Sequence, residues 1–223
     1  MLNKNLFILS VGQIFSFTSP VVSVLLSGII GSSMTNINYL ATLPTALMIV
    51  GTAFGSLIAS KIMKMNGRKF GFSIAAIINS LFSLFCAYAI LINSFELFCL
   101  GNLIIGLSVA FAQQYRFAAS ESVEKSNIPK AISLILLLGI VASLLGANIV
   151  SVTKDFHQTT YVGSYISMSL LTIIPFFFFV FYKNEEKIES KIFKSQKSIF
   201  ELLSNKNIQL SILSAGIGYT TMS

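Results

Sequence analysis

Long apolar stretches alternate with short polar ones along nearly the whole chain. A helix needs roughly 20 residues to cross a hydrocarbon core of about 30 Å. Runs of that kind fall at about 5–30, 38–63, 70–92, 95–118, 131–152 and 161–182, and a seventh begins near residue 207 and is still running at Ser223. No ten-residue stretch alternates apolar and polar side chains as a barrel strand would, so the pattern predicts an all-α, polytopic transmembrane bundle. The segment 183–206 differs: it mixes Lys with Glu185, Glu186, Glu189 and Glu201 and spaces Ile188, Ile192, Ile199 and Leu203 at helical intervals. An amphipathic helix lying on the cytoplasmic membrane surface is expected there; a disordered charged linker is the other reading. The expected organisation is a six-span bundle over 1–182, this linker over 183–206, and the truncated start of a second bundle over 207–223.

Composition strengthens the membrane reading. The chain is 54% hydrophobic and 10% charged, where soluble domains carry about 25% charged residues. Its mean hydropathy is +0.81. A formal charge of +7 raises the question of nucleic acid, but the basic residues sit in clusters between apolar runs, as loops facing an anionic leaflet do. Nucleic acid is therefore not an expected partner. With Lys4 placed inside, all of the 15 Lys and Arg residues except Lys154 fall in segments on the same side. That asymmetry puts the N-terminus in the cytoplasm and the chain in the cell membrane. Lys4 precedes an apolar stretch without a clean small-residue cleavage site, so that stretch reads as a retained span rather than a signal peptide. Cys86 and Cys99 lie inside apolar runs and His157 in a loop, so neither a disulfide nor a metal site is expected, and no cofactor.

The junction of the second and third runs is the most informative stretch. Gly51, Gly55 and Ala59 recur every four residues and flatten one helix face for close packing. Gly67 permits a tight turn, and Arg68 and Lys69 follow it at the membrane surface. Here the chain resembles the major facilitator superfamily, whose signature between its second and third spans ends in Gly-Arg-Arg or Gly-Arg-Lys. Gly67, Arg68 and Lys69 match that ending and Ile62 its apolar position; Ser60 replaces the first Gly and Lys64 the acid. That acid latches the two halves of family members on the cytoplasmic side, so the resemblance implies a latch either rebuilt from other residues or absent. In the fourth run Gly106 fits the family pattern, while Asn102 stands at the usual Arg position. Pro129, Lys130, Ala131, Ile132 and Ser133 look like the turn that opens the family's fifth span. Gly139, Ala142, Ser143, Gly146, Ala147 and Ser151 form a small-residue stripe whose bland reading is helix packing; Ala147 stands where many family exporters have Pro. The resemblance implies twelve spans in two halves, of which this chain is the first half plus a start of the second, with a C-terminal half still to come as its partner.

Polar groups inside spans are costly and are binding candidates. These are Gln13, Ser16 and Ser19 in the first run, Asn79 in the third, Asn102, Gln113 and Gln114 in the fourth and Asn148 in the fifth. The family lines its cavity with spans 1 and 4, which favours Gln13, Ser16, Gln113, Gln114 and Arg116 as the substrate site. An amide can both donate and accept, which suits a polar or zwitterionic solute; interhelical hydrogen bonding is the competing role. Arg116 either faces the cavity or snorkels to the surface and pairs with Glu121 or Glu124. Pro20 and Pro44 fall inside runs and are candidate hinges, or static kinks. The function expected is secondary-active transport of a small organic solute by alternating access. The alternative is a non-transporting scaffold or inactive fragment. An enzyme is disfavoured, because the single His lies in a loop and almost no acids lie at membrane depth.

Overall fold

The computed structural model describes residues 3–184, 209–211 and 214. The chain divides into two units, Met1–Glu185 and Glu186–Ser223. The expected amphipathic linker and seventh span lie almost wholly outside the described residues. Among those described, regular structure is helical throughout: α1 (Lys4–Ser16), α2 (Thr18–Met34), α3 (Leu43–Leu91), α4 (Phe95–Ala112), α5 (Tyr115–Glu121), α6 (Ile128–Thr153) and α7 (Val162–Phe179), with short 3-10 turns at Asn38–Leu40 and Lys125–Asn127.

Local chemistry explains where these helices start. Asn3 caps α1 by accepting the Leu6 N–H at 2.8 Å, which satisfies one of the donors every helix leaves open at its N-terminus. Ser94 caps α4, with Glu96 in the first turn, where a negative charge complements the helix dipole. Pro44 and Pro129 stand in the first turns of α3 and α6, positions where a missing N–H costs nothing. Pro44 is therefore not an interior hinge, because the helix begins at Leu43 and residues 38–40 before it form a 3-10 turn. Pro20 falls in the first turn of α2, while Pro175 does lie inside a helix, α7.

Joined across breaks of one or two residues, five segments are long and apolar enough to cross a membrane: Lys4–Met34, Leu43–Leu91, Phe95–Glu121, Lys125–Thr153 and Val162–Phe179. The second of these is a hairpin. Gly67 sits at φ +84° and ψ 163° inside α3, a conformation open to glycine and strained for other residues. Its first arm, 43–66, packs against α4 in parallel: Gly51 meets Leu103, and Gly55 meets Leu107 and Ala110. The second arm, 68–91, runs the other way, since Phe72 meets Tyr115 while Cys86 meets Gly101. One straight helix cannot run both parallel and antiparallel to its neighbour, so the chain folds back at Gly67.

The first arm and α4 approach until backbone touches backbone. A Cβ on Gly51 would strike the Leu103 carbonyl and one on Gly106 the Met48 carbonyl. Thr52 Oγ1 donates to the Gly106 carbonyl at 3.1 Å. Such contacts drive helix association where lipid tails are as apolar as the side chains. Two apolar clusters fill the interior, one around Phe72, Tyr115 and Phe179, the other around Cys86, Phe98 and Tyr165. Outside, large apolar side chains are exposed on several helices, including Leu57, Ile140, Leu144, Leu170 and Phe177. An aqueous protein would bury such a surface; a bilayer solvates it. The protein is a multi-pass helical membrane protein.

Contacts also sort the two ends of the bundle. Asn3 Nδ2 donates to the Ser122 carbonyl, Asn5 exchanges two hydrogen bonds with the Lys183 backbone, and Arg68 pairs with Glu121. These bring the N-terminus, the Gly67 turn, the end of α5 and the end of α7 together. Every described Lys and Arg belongs to this end except Lys154, which follows α6 at the other.

Candidate functional site

Two of the apolar segments are interrupted, and the interruptions meet. In the first, α1 stops at Ser16 and α2 starts at Thr18, with Phe17 between them. The sequence dictates the break. Pro20 has no N–H for the Ser16 carbonyl four residues back, and Ser19 Oγ donates to that carbonyl instead, at 3.2 Å. Thr18 Oγ1 likewise donates to the Phe15 carbonyl at 2.6 Å. The second interruption separates α4 from α5 at Gln113 and Gln114. There the Gln114 N–H bonds the Phe111 carbonyl at 3.0 Å, the tighter i−3 pattern of a 3-10 turn.

Ser16 Oγ and the Tyr115 hydroxyl join these breaks with a buried hydrogen bond of 3.0 Å. Tyr115 stands edge-on to Phe72, ring centres 4.8 Å apart, and tilted against Phe179 at 5.7 Å. Gly12 makes the room: a Cβ there would lie 2.8 Å from Phe179 Cζ and 3.4 Å from Tyr115 Cζ. Gln13 is buried, and its Nε2 lies 3.3 Å from where a Gly139 Cβ would stand on α6. Gly146, one further along α6, faces Val21 and the Thr18 carbonyl across from α2.

The remaining candidates are spread more widely. Gln113 is exposed, Gln114 half-buried and Arg116 exposed, with the Arg116 guanidinium 5.0 Å from the centre of the Phe117 ring. Arg116 does not pair with Glu121, because Arg68 takes that carboxylate. Arg68 Nε donates to Oε2 at 2.7 Å and Nη2 to Oε1 at 2.6 Å, the fork geometry at which guanidinium excels. Ser19 and Asn79 are buried together, Asn79 Nδ2 donating to Ser19 Oγ at 2.8 Å. Asn102 is fully buried and donates to the Phe98 carbonyl of its own helix at 2.9 Å. Asn148 is exposed and bonds the Leu144 carbonyl, again in its own helix.

Beside the Gly67 turn, Lys69 is tied to the end of α7. Its N–H donates to Asn184 Oδ1 at 2.8 Å and its Nζ to the Val180 carbonyl at 2.5 Å. Tyr115, Gly12, Glu121 and Asn184 carry none of the hydropathy or motif signals that singled out the other residues. The one local cue is that Tyr115 directly follows the polar Gln113–Gln114 pair.

Apolar helices with buried polar groups between them, two of them interrupted at one place, define a polytopic helical membrane protein. A model of the family described as "Sugar (and other) transporter" matches residues 16–183, and the chain belongs to that family, within the major facilitator superfamily. It is 28% identical over 222 residues to a riboflavin transporter of Brucella anthropi, covering 98% of this chain and 56% of that protein. It is also 28% identical over 161 residues to an uncharacterized MFS-type transporter of Bacillus subtilis, YdeG, covering 72% of this chain and 37% of the relative. A second such Bacillus subtilis protein, YddS, is 26% identical over 156 residues, 70% of this chain and 36% of the relative. The chain thus spans about half the length, or less, of the curated relatives it matches.

Proposed function

We propose that this chain forms the first, six-crossing half of a secondary-active carrier that moves a small organic solute across the cell membrane by alternating access. Residues 1–182 make the bundle, 183–206 a cytoplasmic linker, and 207–223 the start of a second bundle that completes the transport path. The basic end faces the cytoplasm, since Lys and Arg are retained on that side during insertion. The observation that carries the reading is the meeting of two helix interruptions at Ser16 and Tyr115. Carriers of this kind bind solute where discontinuous helices free backbone and side-chain polar groups inside the membrane.

The solute site is assigned to Gln13, Ser16, Gln113, Gln114 and Arg116. The two short segments that carry them border the same pair of breaks. Three amides and a hydroxyl fit a solute with both donor and acceptor edges. Among the described residues nothing in the membrane-spanning interior carries an unpaired carboxylate, so a neutral polar solute suits this half better than a cation. The likeness to a riboflavin transporter supports riboflavin, a neutral molecule with an imide edge and a hydroxylated tail, as the first solute to test.

The experiment is saturable uptake of labelled riboflavin by the full-length protein in proteoliposomes. Gln13→Ala and Gln114→Ala are each expected to raise the half-saturating concentration about 2- to 13-fold, the loss of one hydrogen bond made to the solute. No saturable uptake of riboflavin or of a panel of neutral polar solutes, from protein that unfolds cooperatively on heating, would overturn the reading.

A further inference from the structure

Four buried side chains on three helical segments form a run of hydrogen bonds through the two breaks, joined across the backbone and side chain of Ser16. Asn79 Nδ2, on the second arm of α3, donates to Ser19 Oγ at 2.8 Å. Ser19 Oγ donates to the Ser16 carbonyl at 3.2 Å. Ser16 Oγ shares its hydrogen bond with the Tyr115 hydroxyl at 3.0 Å. Exposure is 4% at Ser16, 0% at Ser19, 3% at Asn79 and 1% at Tyr115, so neither water nor lipid competes for these bonds, and losing one leaves a polar atom stranded. Neutral side chains of this sort hydrogen-bond one helix to another inside a membrane. Here they are strung along the points where two helices are broken.

The chemistry fixes the direction of the chain. Pro20 deprives the Ser16 carbonyl of its helical donor, and the single Ser19 proton supplies one. Asn79 must therefore present its NH2 to Ser19. Its own Oδ1 is buried and accepts no hydrogen bond in the described structure. Turning the Asn79 amide by half a rotation would let Oδ1 take the Ser19 proton and release the Ser16 carbonyl. The network thus has two arrangements, one with the break at residues 16–20 tied and one with it loosened, which is the kind of bistable element that conformational change requires.

We propose that Asn79 and Tyr115 are positioning residues that couple the break between α1 and α2 to the break between α4 and α5, so that the parts bearing Gln13 and Gln113–Gln114 move together. The functional meaning rests on the solute site proposed above; the coupling itself does not. Neither residue is assigned a contact with solute.

Hydrogen exchange of the full-length protein in lipid nanodiscs tests the coupling without any solute. Tyr115→Phe keeps the ring between Phe72 and Phe179 and removes only the hydroxyl. It is expected to speed exchange about five-fold, the worth of one buried hydrogen bond, both at residues 112–117 and at 13–20. Ser16→Ala should give the same two-segment pattern, and the double variant no more than either single one. Ser19→Ala should speed exchange at 13–20 and 112–117 together. Ser108→Ala, whose hydroxyl bonds only its own helix, is the control that should leave both segments alone. Changes confined to the segment carrying each substitution would overturn the proposal. Riboflavin uptake separates the two readings. Coupled exchange with uptake unchanged in Gln13→Ala would sink the solute site and leave the strut. Raised half-saturation in Gln13→Ala with uncoupled exchange would sink the strut alone.

Discussion

Arg68 and Glu121 make two short hydrogen bonds, yet the side chains are 21% and 52% exposed. Solvent at that exposure screens most of the attraction, and exposed pairs contribute about 0–1 kcal/mol. A double-mutant cycle with Arg68→Gln and Glu121→Gln, followed by thermal unfolding in detergent, is therefore expected to give a coupling below about 1 kcal/mol. A larger coupling would mean that lipid headgroups shield the pair from water. Arg68 was legible in the sequence as part of a family ending, but its partner was not. Glu121 is 53 residues away and only five from Arg116, so proximity along the chain points to the wrong arginine. The Gly67 reversal is what carries Arg68 to the end of α5. The same holds for Ser16: hydropathy marks it as a polar intruder, whereas its partner Tyr115 is visible only once two distant segments are packed.

Helix against helix, the bundle depends on glycines where backbones touch and not on glycines in general. Gly51 and Gly106 each face a carbonyl oxygen of the neighbouring helix, while nothing lies within 4 Å of where a Gly28 Cβ would stand. Gly106→Val is expected to destabilise the protein by about 1–3 kcal/mol, as overpacking does, and Gly51→Val similarly. Gly28→Ala should be neutral or stabilising by up to about 1 kcal/mol, since alanine favours the helix. Unfolding by heat or denaturant checks the contrast, and equal effects at the three positions would mean that the α3–α4 contact is looser than its geometry. Repeating small residues at 51, 55 and 59 announce such a face in the sequence. The helix breaks are harder to read. Apolar residues continue on both sides of the Ser16–Pro20 stretch, so the first run reads as one helix, and the local signs of a break are Pro20 and the polar Ser16, Thr18 and Ser19 around Phe17. Gln113 and Gln114 stand out as polar, but their polarity signals a ligand and a break equally, and the break is what the backbone adopts.

At the scale of the whole molecule, the membrane decides which reading of α3 is physical. A 49-residue helix would extend about 74 Å at 1.5 Å per residue, more than twice the apolar thickness it has to match. Folding back at Gly67 gives two arms of matching length and returns Arg68 and Lys69 to the level of Lys4 and Lys183. Six crossings then place the 154–161 loop on the side opposite the Gly67 turn. Single cysteines test this directly, because the natural Cys86 and Cys99 are buried and give little background. Asn66 and Gln158 are both exposed, one at each end. A membrane-impermeant maleimide is expected to label Gln158→Cys in intact cells and Asn66→Cys only in inverted vesicles. The reverse pattern would invert the orientation that the basic residues assign. Labelling of both from one side would require an even number of crossings between residues 66 and 158, which the hairpin at Gly67 followed by α3's second arm, α4–α5 and α6 does not permit.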